Sequence, residues 1–266
     1  MLLRFPDPYS FEVSTERFRA FGADLANLWH DGALHRVVGG REVRIQGAPG
    51  GVEVDPLDDE TRPVVLKLLG AEFELEPFTA WAAEQPVLAG LVRRLAGFRP
   101  PLAPDPFESL VTSITAQQVS LFSAFAIRNR LIERFGLRAG RAYAFPTRER
   151  IAAAGEDELV ALGFSRRKAE YVGGLARADI DLDALALLDD EDVRDRLTAI
   201  RGIGLWTADW YLARHLARPR AWPAGDLVLR KAADLFYGLD VHELGLRLDP
   251  FQNLAAHYLL TGMRLP

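Results

Sequence analysis

The chain has 266 residues, of which 49% are hydrophobic and 26% charged, and its formal net charge is −5. This size suits a globular protein of one to three domains. The lack of cysteine excludes disulfides and thiolate-bound zinc or iron–sulfur clusters, and the five histidines form no H-x-x-x-H pair. Because no long apolar run and no signal-peptide pattern is present, we expect a cytoplasmic protein without a membrane span.

Residues 1–76 are predicted to form an antiparallel sheet with helices. Val43 and Ile45 alternate with polar neighbours, and glycine-rich turns stand before and after this segment. This part of the chain is acidic, since residues 1–84 carry 15 acidic and 8 basic side chains.

From residue 77 onward, apolar side chains recur at helical spacing. Asp105 and Pro106 are suitable as the N-cap and first-turn residue of one helix. A second helix is predicted to end at Gly136. The proline-rich segment 98–104 is interpreted as a linker.

Basic side chains concentrate between residues 93 and 148, where nine arginines stand against three acidic residues. A solvated helical surface is the ordinary explanation of such a cluster, and a face that binds nucleic acid is the other. The charge pattern alone leaves both open.

Gly202, Ile203 and Gly204 lie between helices predicted over 191–200 and 206–216. Two glycines around one apolar residue predict a hairpin tight enough for its backbone to approach a partner, with Ile203 as its anchor in the core. The N–H groups that open the following helix suit a phosphate. A tight turn without a ligand is the alternative.

Asp226 follows a Pro-Ala-Gly sequence and precedes an apolar, helix-periodic run. A helix N-cap is the ordinary role of such an aspartate. A helix N-terminus also stabilises negative charge, so a cap and a reactive carboxylate are compatible roles.

Four motifs follow one another along the chain: D-P-F-E-S-L at 105–110, A-Q-Q-V-S at 116–120, G-I-G-L-W-T-A at 202–208 and P-A-G-D at 223–226. Their order and separations resemble the helix-hairpin-helix DNA glycosylase superfamily, in particular its AlkA-like branch of 3-methyladenine DNA glycosylases II. The acidic N-terminal part resembles the first domain of that branch.

The resemblance implies an α+β fold with a cleft between two helical lobes. Residues 1–76 would form a mixed α/β domain with an antiparallel sheet. Residues 77–104 and 222–266 would form an all-α lobe on the side of the aspartate, and residues 105–221 an all-α lobe with the helix-hairpin-helix motif.

The resemblance further implies a base excision repair enzyme that flips an alkylated purine, of the 3-methyladenine type, out of double-stranded DNA and hydrolyses its N-glycosidic bond. Asp226 matches the catalytic aspartate, which stabilises positive charge on the sugar. Gly202, Ile203 and Gly204 match the hairpin that grips the DNA backbone, often through a bound monovalent cation. No cofactor and no catalytic metal are implied, and a monomer is the usual state of the family.

Trp206, Trp210 and Phe251 match the aromatic pocket of the family, in which a cationic base stacks on ring faces. Core packing is the alternative for two tryptophans that are four residues apart. Gln252 and Asn253 stand where the family commonly has arginine, which leaves the substrate range and the grip on DNA open.

Gln117 and Gln118 match the loop that enters the gap left by a flipped nucleotide, with Gln118 at the wedge position. An ordinary surface loop is the alternative for this pair.

Bifunctional relatives have a lysine at the position of Trp206. Because an indole cannot form a Schiff base, we expect a monofunctional glycosylase without lyase activity at abasic sites. The missing lysine also argues against an 8-oxoguanine-type lyase, and the missing cysteines argue against the endonucleases that bind an iron–sulfur cluster. A non-catalytic DNA-binding protein, or a glycosylase for hypoxanthine, ethenoadenine or uracil, remains an alternative. No Walker, Rossmann or nucleophile-elbow motif supports a small-molecule enzyme.

Overall fold

The computed structural model describes residues 1–265, and its first part is an antiparallel sheet with short helices. The strands are β1 (Leu2–Arg4), β2 (Leu28–His30), β3 (Ala33–Val38), β4 (Arg41–Ala48) and β5 (Gly51–Asp55). They are arranged in the order β1-β5-β4-β3-β2, with every neighbouring pair antiparallel. Helix α1 (Phe11–Ser14) and a 3₁₀ turn (Glu16–Phe18) lie between β1 and β2, and α2 (Thr61–Leu68) follows β5.

Alternation along β4 explains how this sheet acquires one buried face. Val43 and Ile45 are fully buried, whereas Arg44 between them is exposed. Ile45 pairs with Leu34 on β3 and Val54 on β5, so that apolar side chains meet across three strands. The predicted antiparallel sheet is confirmed.

The second part of the chain is mainly helical. Its helices are α3 (Leu75–Ala82), α4 (Pro86–Arg94), α5 (Pro106–Ala116), α6 (Leu121–Phe135), α7 (Arg148–Ala153), α8 (Glu156–Ala161), α9 (Arg166–Arg177), α10 (Asp190–Thr198), α11 (Leu205–Arg214), α12 (Leu227–Tyr237), α13 (Val241–Arg247) and α14 (Gln252–Gly262). The predicted α+β class is therefore confirmed.

Helices α5 and α6 begin and end where local chemistry predicts. The Asp105 carboxylate accepts the backbone N–H of Glu108 at 2.6 Å, and Pro106 opens α5. Gly136 follows α6 but has φ −75° rather than a left-handed conformation. A Cβ there would lie 2.4 Å from the carbonyl oxygen of Ala144, so close backbone packing is the reason for glycine.

A short hairpin interrupts the helices and differs from the all-α lobes that we expected. Strands β6 (Leu137–Ala139) and β7 (Ala142–Ala144) pair antiparallel. The hairpin packs on the N-terminal part, where the N–H of Tyr143 donates to the carbonyl of Leu25 at 2.9 Å. Strands of three residues are too short to show a periodicity in the sequence.

The segment 98–104 has no regular secondary structure, but its interpretation as a linker is wrong. Residues 98–102 are buried. The Arg99 guanidinium donates to the carbonyls of Gly70 and Phe73 at 3.1 and 2.6 Å. The segment therefore lies inside the core, where the Arg99 backbone N–H and Nη1 find hydrogen-bond acceptors.

Buried apolar side chains form two clusters. One contains residues between Leu3 and Leu69, and the other runs from Phe73 to Leu260. Because the second cluster is continuous, the division of the helical part into lobes 77–104 with 222–266 and 105–221 stays a prediction. Within the described part of the chain, no helix has the length and apolarity needed to cross a bilayer.

Candidate active site

The predicted hairpin lies between α10 and α11. Gly202 has φ +92°, and a Cβ at this position would lie 2.1 Å from the Tyr171 ring, so both conformation and space require glycine. Ile203 is buried, with 4% of its surface exposed. Gly204 is the N-cap of α11, and nothing lies within 4 Å of its hypothetical Cβ. The hairpin thus presents open backbone at Gly204 while Ile203 anchors it.

Asp226 is both a helix cap and a side chain on a cavity wall. Its Oδ1 accepts the backbone N–H groups of Val228 and Leu229 at 2.9 and 3.0 Å, at the start of α12. Its Oδ2 accepts the indole N–H groups of Trp206 and Trp210, each at 3.1 Å. These four donors are uncharged, so they fix the carboxylate without neutralising its charge.

The two tryptophans on α11 have different surroundings. Trp206 is half-buried and lines the cavity. Trp210 is 2% exposed, and the guanidinium carbon of Arg214 lies 3.5 Å from its ring centroid. The expectation that the Trp210 ring face is open to a base is therefore corrected, because Arg214 covers that face. Trp210 contributes its N–H to Asp226.

Phe251 does not line the cavity, which corrects the prediction from the resemblance. Its ring packs against Trp81 and Phe78, with centroid distances of 5.2 and 5.8 Å. This cluster belongs to the core beside α3, and the start of α14 holds Phe251 there. Tertiary packing therefore determines the place of this aromatic residue.

Gln252 and Asn253 are buried and act within the fold. The Gln252 amide donates to Asp249 at 3.1 Å. The Asn253 amide donates to the carbonyls of Ala213 and Arg218 at 3.1 and 2.9 Å, which ties the start of α14 to the end of α11. A grip of these side chains on DNA is not supported by this geometry.

The cavity beside Asp226 has a volume of about 290 Å³. It lies between the N-terminal 3₁₀ turn and the helical part, and its walls include Arg17, Phe21, Trp206, Arg214 and Asp226. Small-molecule pockets typically measure roughly 300–1,000 Å³, so the space suits one small flat group.

The loop between α5 and α6 lies beside the hairpin. The Gln117 side chain donates to the carbonyl of Gly202 at 3.0 Å and to the Thr207 hydroxyl at 3.2 Å. Gln118 is exposed and has φ +54°, and Phe122 shortly after it is 65% exposed. Gln117 therefore braces the loop against the hairpin, whereas Gln118 projects at its tip.

A buried ionic network lines another part of the cavity. Glu108 accepts hydrogen bonds from Arg36 at 2.6 Å and Arg128 at 2.5 Å. Arg128 also bonds Asp24, to which Asn27 donates at 3.0 Å. The network joins the N-terminal part to α5 and α6.

Burial alone would raise the pKa of Asp24, but the network reverses this effect. The charge of Arg128 and hydrogen bonds from Arg128, Asn27 and the Ala26 N–H hold the pKa of Asp24 below its ordinary value. Asp24 therefore stays ionised within the fold.

Three of the nine arginines in the arginine-rich stretch are engaged in contacts inside the protein. Arg99 and Arg128 are buried, and Arg148 donates to the carbonyls of Ala176, Ala178 and Ile180. The other six arginines of the stretch, Arg93, Arg94, Arg130, Arg134, Arg138 and Arg141, are exposed, so the prediction of a solvated surface holds for most of it, and binding of nucleic acid there stays a prediction. The charges of Arg99, Arg128 and Arg148 stabilise contacts between chain segments that meet only in the folded protein.

The cavity also contains four residues that the sequence did not predict, namely Arg17, Phe21, Arg214 and His257. Arg17 and Phe21 come from the N-terminal part, about 200 residues away from Asp226 along the chain. Arg214 is one turn beyond Trp210 on α11, and this i, i+4 spacing was the available signal. The structure describes no group of three or more His, Cys, Asp or Glu side chains that could hold a metal. The monovalent cation expected at the hairpin stays a prediction.

The chain resembles known DNA repair proteins. A family model described as "HhH-GPD superfamily base excision DNA repair protein" matches residues 111–243. A DNA-3-methyladenine glycosylase of Bacillus subtilis is 28% identical over 223 residues, which cover 77% of this chain and 74% of the relative.

Solved structures share the fold. A 3-methyladenine DNA-glycosylase from Archaeoglobus fulgidus is 25% identical, with a TM-score of 0.88 over 98% of this chain and 97% of that one. An 8-oxoguanine glycosylase/lyase of Clostridium acetobutylicum, solved with double-stranded DNA, has a TM-score of 0.82 at 17% identity over 99% of this chain and 97% of that one.

Proposed function

Because the chain belongs to the HhH-GPD superfamily of base excision DNA repair proteins, we propose that it is a DNA glycosylase that removes alkylated purines from double-stranded DNA. The names of the Bacillus subtilis and Archaeoglobus fulgidus relatives support 3-methyladenine-type bases as the substrate class. The observation that carries the proposal is Asp226, a carboxylate on a cavity wall that is held by uncharged donors alone.

The chemistry follows from the position of this carboxylate. A base flipped into the cavity would bring C1′ of its sugar towards Asp226. As the glycosidic bond breaks, positive charge develops on the sugar, and a preorganised anion stabilises it. Trp206 and Trp210 fix the Oδ2 atom, and the cap on α12 fixes Oδ1. The carboxylate then needs no reorganisation during the reaction.

The loop and the hairpin are suited to hold the distorted DNA. Gln118 and Phe122 project beside the cavity and would fill the gap left by the flipped nucleotide, which offsets part of the cost of unstacking. Gly202, Ile203 and Gly204 would bind the DNA backbone, because the first N–H groups of α11 have no partner within the helix. Such contacts carry no sequence information.

We also propose that the enzyme is monofunctional. Lyase chemistry requires an amine that attacks C1′. The chain has three lysines, Lys67, Lys168 and Lys231, and none of them lines the cavity. Lys168 donates to the carbonyl of Thr115 at 2.8 Å. Hydrolysis that leaves an abasic site is the reaction that these residues support.

The test is incubation with methylated duplex DNA, followed by chromatography of the released bases. We expect free 3-methyladenine or 7-methylguanine, with strands that break only after heat or alkali. Binding without release would favour a non-catalytic DNA-binding protein. Strand breaks without that treatment would contradict the monofunctional mechanism.

A further inference from the structure

The side chain of Gln117 links the loop between α5 and α6 to the hairpin. Its amide nitrogen donates to the carbonyl of Gly202 at 3.0 Å and to the hydroxyl of Thr207 at 3.2 Å. These partners lie 85 and 90 residues further along the chain, at the turn of the hairpin and in the first turn of α11. Both N–H groups of the amide are therefore used within the protein.

The hairpin gives Gln117 a fixed support. Gly202 has φ +92°, and the Tyr171 ring occupies the space where a Cβ of residue 202 would lie. Ile203 is buried, and Thr207 is only 1% exposed. Closely packed side chains keep their positions, so the two acceptors of Gln117 stay in place when a ligand approaches the hairpin.

Gln118 forms the tip of the loop in a strained conformation. It is exposed and has φ +54°, a left-handed value that is uncommon outside glycine. At the end of α5, the Lys168 ammonium donates to the carbonyl of Thr115 at 2.8 Å and holds the start of the loop. A strained conformation persists only where its surroundings impose it. The hydrogen bonds of the adjacent Gln117 are therefore part of what fixes the tip.

We propose that Gln117 is a positioning residue, which holds Gln118 at a fixed distance from the hairpin so that a duplex bound to the hairpin has the loop tip at the gap of the flipped nucleotide. This inference rests on the proposed function, because it takes the loop and the hairpin to contact the same duplex. It gives Gln117 a role other than entering the gap itself, since that movement would break both of its hydrogen bonds.

A tip that is in place before DNA binds lowers the cost of recognising the gap. A loose loop would lose conformational freedom on entering the duplex, whereas a loop that is already fixed loses little. Gln117 should therefore strengthen binding to DNA that contains a gap, but not to an undamaged duplex that is held through its backbone. Its effect should depend on Gln118, since Gln117 makes no DNA contact of its own.

The test is a double-mutant cycle measured by DNA binding. Dissociation constants are measured for an undamaged duplex and for the same duplex with one tetrahydrofuran abasic site, which has a gap and no base to flip. The variants are Gln117→Met, which keeps the length of the side chain but removes its donors, Gln118→Ala, and the double variant. Thr207→Val removes one acceptor of Gln117 and repeats the test if Gln117→Met does not fold.

Asn129→Ala is the matched control. The Asn129 amide also ties two distant segments, because it donates to the carbonyl of Ala23 at 2.7 Å and accepts the N–H of Leu25 at 3.1 Å. Asn129 lies on α6, outside the loop and the hairpin. Urea denaturation of every variant shows whether it is folded under the conditions of the binding measurement.

We expect Gln118→Ala to weaken binding of the abasic duplex roughly tenfold, and Gln117→Met roughly 3- to 10-fold. Binding of the undamaged duplex should not change. In the Gln118→Ala background, Gln117→Met should add less than about twofold, because the side chain that it positions is absent. Thr207→Val should show a smaller loss with the same dependence on Gln118, and Asn129→Ala should bind both duplexes like the wild type.

Additive losses in Gln117→Met and Gln118→Ala would overturn the proposal and indicate that Gln117 contacts DNA itself. Equal weakening of both duplexes would also overturn it, because it would indicate a deformed hairpin. Either result leaves the proposed function intact if the wild type releases 7-methylguanine from methylated DNA. A wild type that releases no base would contradict the proposed function, even where coupled binding supports the role of Gln117.

Discussion

At one part of the cavity wall Asp226 accepts four hydrogen bonds from uncharged N–H groups, whereas at another part Asp24 and Glu108 are bonded to the guanidiniums of Arg36 and Arg128. Both arrangements fix carboxylates firmly. They differ in net charge, because arginine neutralises the carboxylates of the network and an N–H group does not. The carboxylate of Asp226 therefore has no guanidinium hydrogen-bonded to it, and its charge is available to a developing cation.

The largest effect is expected for Asp226→Asn. Asparagine also caps helices, so α12 should remain folded. Without the negative charge, single-turnover excision should fall about 10³-fold, equivalent to about 4 kcal/mol of lost transition-state stabilisation. DNA binding should persist.

Asp105→Asn is the matched control, because it changes another capping aspartate, that of α5. Excision by this variant should stay near the wild-type rate. Similar losses in both variants would show that capping, and not charge at C1′, explains the effect of Asp226.

Glu108→Gln tests the ionic network, which is the second of the two arrangements compared. It leaves Arg36 and Arg128 buried without their shared carboxylate, which should lower the free energy of unfolding by about 3 kcal/mol. Urea denaturation measures the change. Excision per folded molecule should fall far less than in Asp226→Asn. A variant that is fully stable but inactive would reverse the roles assigned to the two sites.

Trp210→Phe removes one N–H donor from Asp226 and keeps an aromatic ring. The carboxylate loses part of its orientation, so excision should fall about tenfold. Tyr211→Phe is the control, because Tyr211 is the next residue on α11 and its hydroxyl donates to the carbonyl of Leu182 at 3.2 Å. Activity that is unchanged in Trp210→Phe would mean that the Trp206 N–H and the backbone cap are enough to position Asp226.

The smallest effect is expected for Asp24, on the free energy of unfolding at low pH. The pKa of Asp24 is lowered in the folded protein, so its ionisation stabilises the fold. The whole of this stabilisation is present at pH values above the pKa of aspartate in the unfolded chain, which is about 3.9. This stabilisation is lost as the pH falls below that value through the lower folded pKa. Unfolding free energies measured from pH 6 to pH 2 should show the advantage of wild type over Asp24→Asn shrinking below pH 4. A constant difference would contradict the ionic role of Asp24.

The Asp226 site could be predicted because it depends on local chemistry. The ionic network of Arg36, Arg128, Asp24 and Glu108 could not, because it depends on distant residues. The caps at Asp105 and Asp226 and the left-handed Gly202 depend on neighbouring residues, which the sequence displays directly. Arg128 depends on Asp24 and Glu108, whose partnership exists only after the sheet docks on the helices. A pattern of charges along the chain cannot show which charges meet.

For the aromatic residues, too, the sequence predicts only what depends on neighbouring positions. Trp206 and Trp210 were correctly placed on one side of α11, because residues four apart in a helix lie on the same side. Phe251 was placed wrongly, since its ring direction depends on packing against Trp81 and Phe78 from α3. Arg17 reaches the cavity from the N-terminal part, and no local motif predicts that approach.

The most direct test measures how tightly the protein binds two abasic duplexes, one with a cationic pyrrolidine in place of the sugar ring and one with neutral tetrahydrofuran. If Asp226 supplies negative charge at C1′, the wild type should prefer the pyrrolidine duplex by at least about tenfold. Asp226→Asn should lose this preference, and Glu108→Gln should keep it. Equal binding of both duplexes by the wild type would contradict the account.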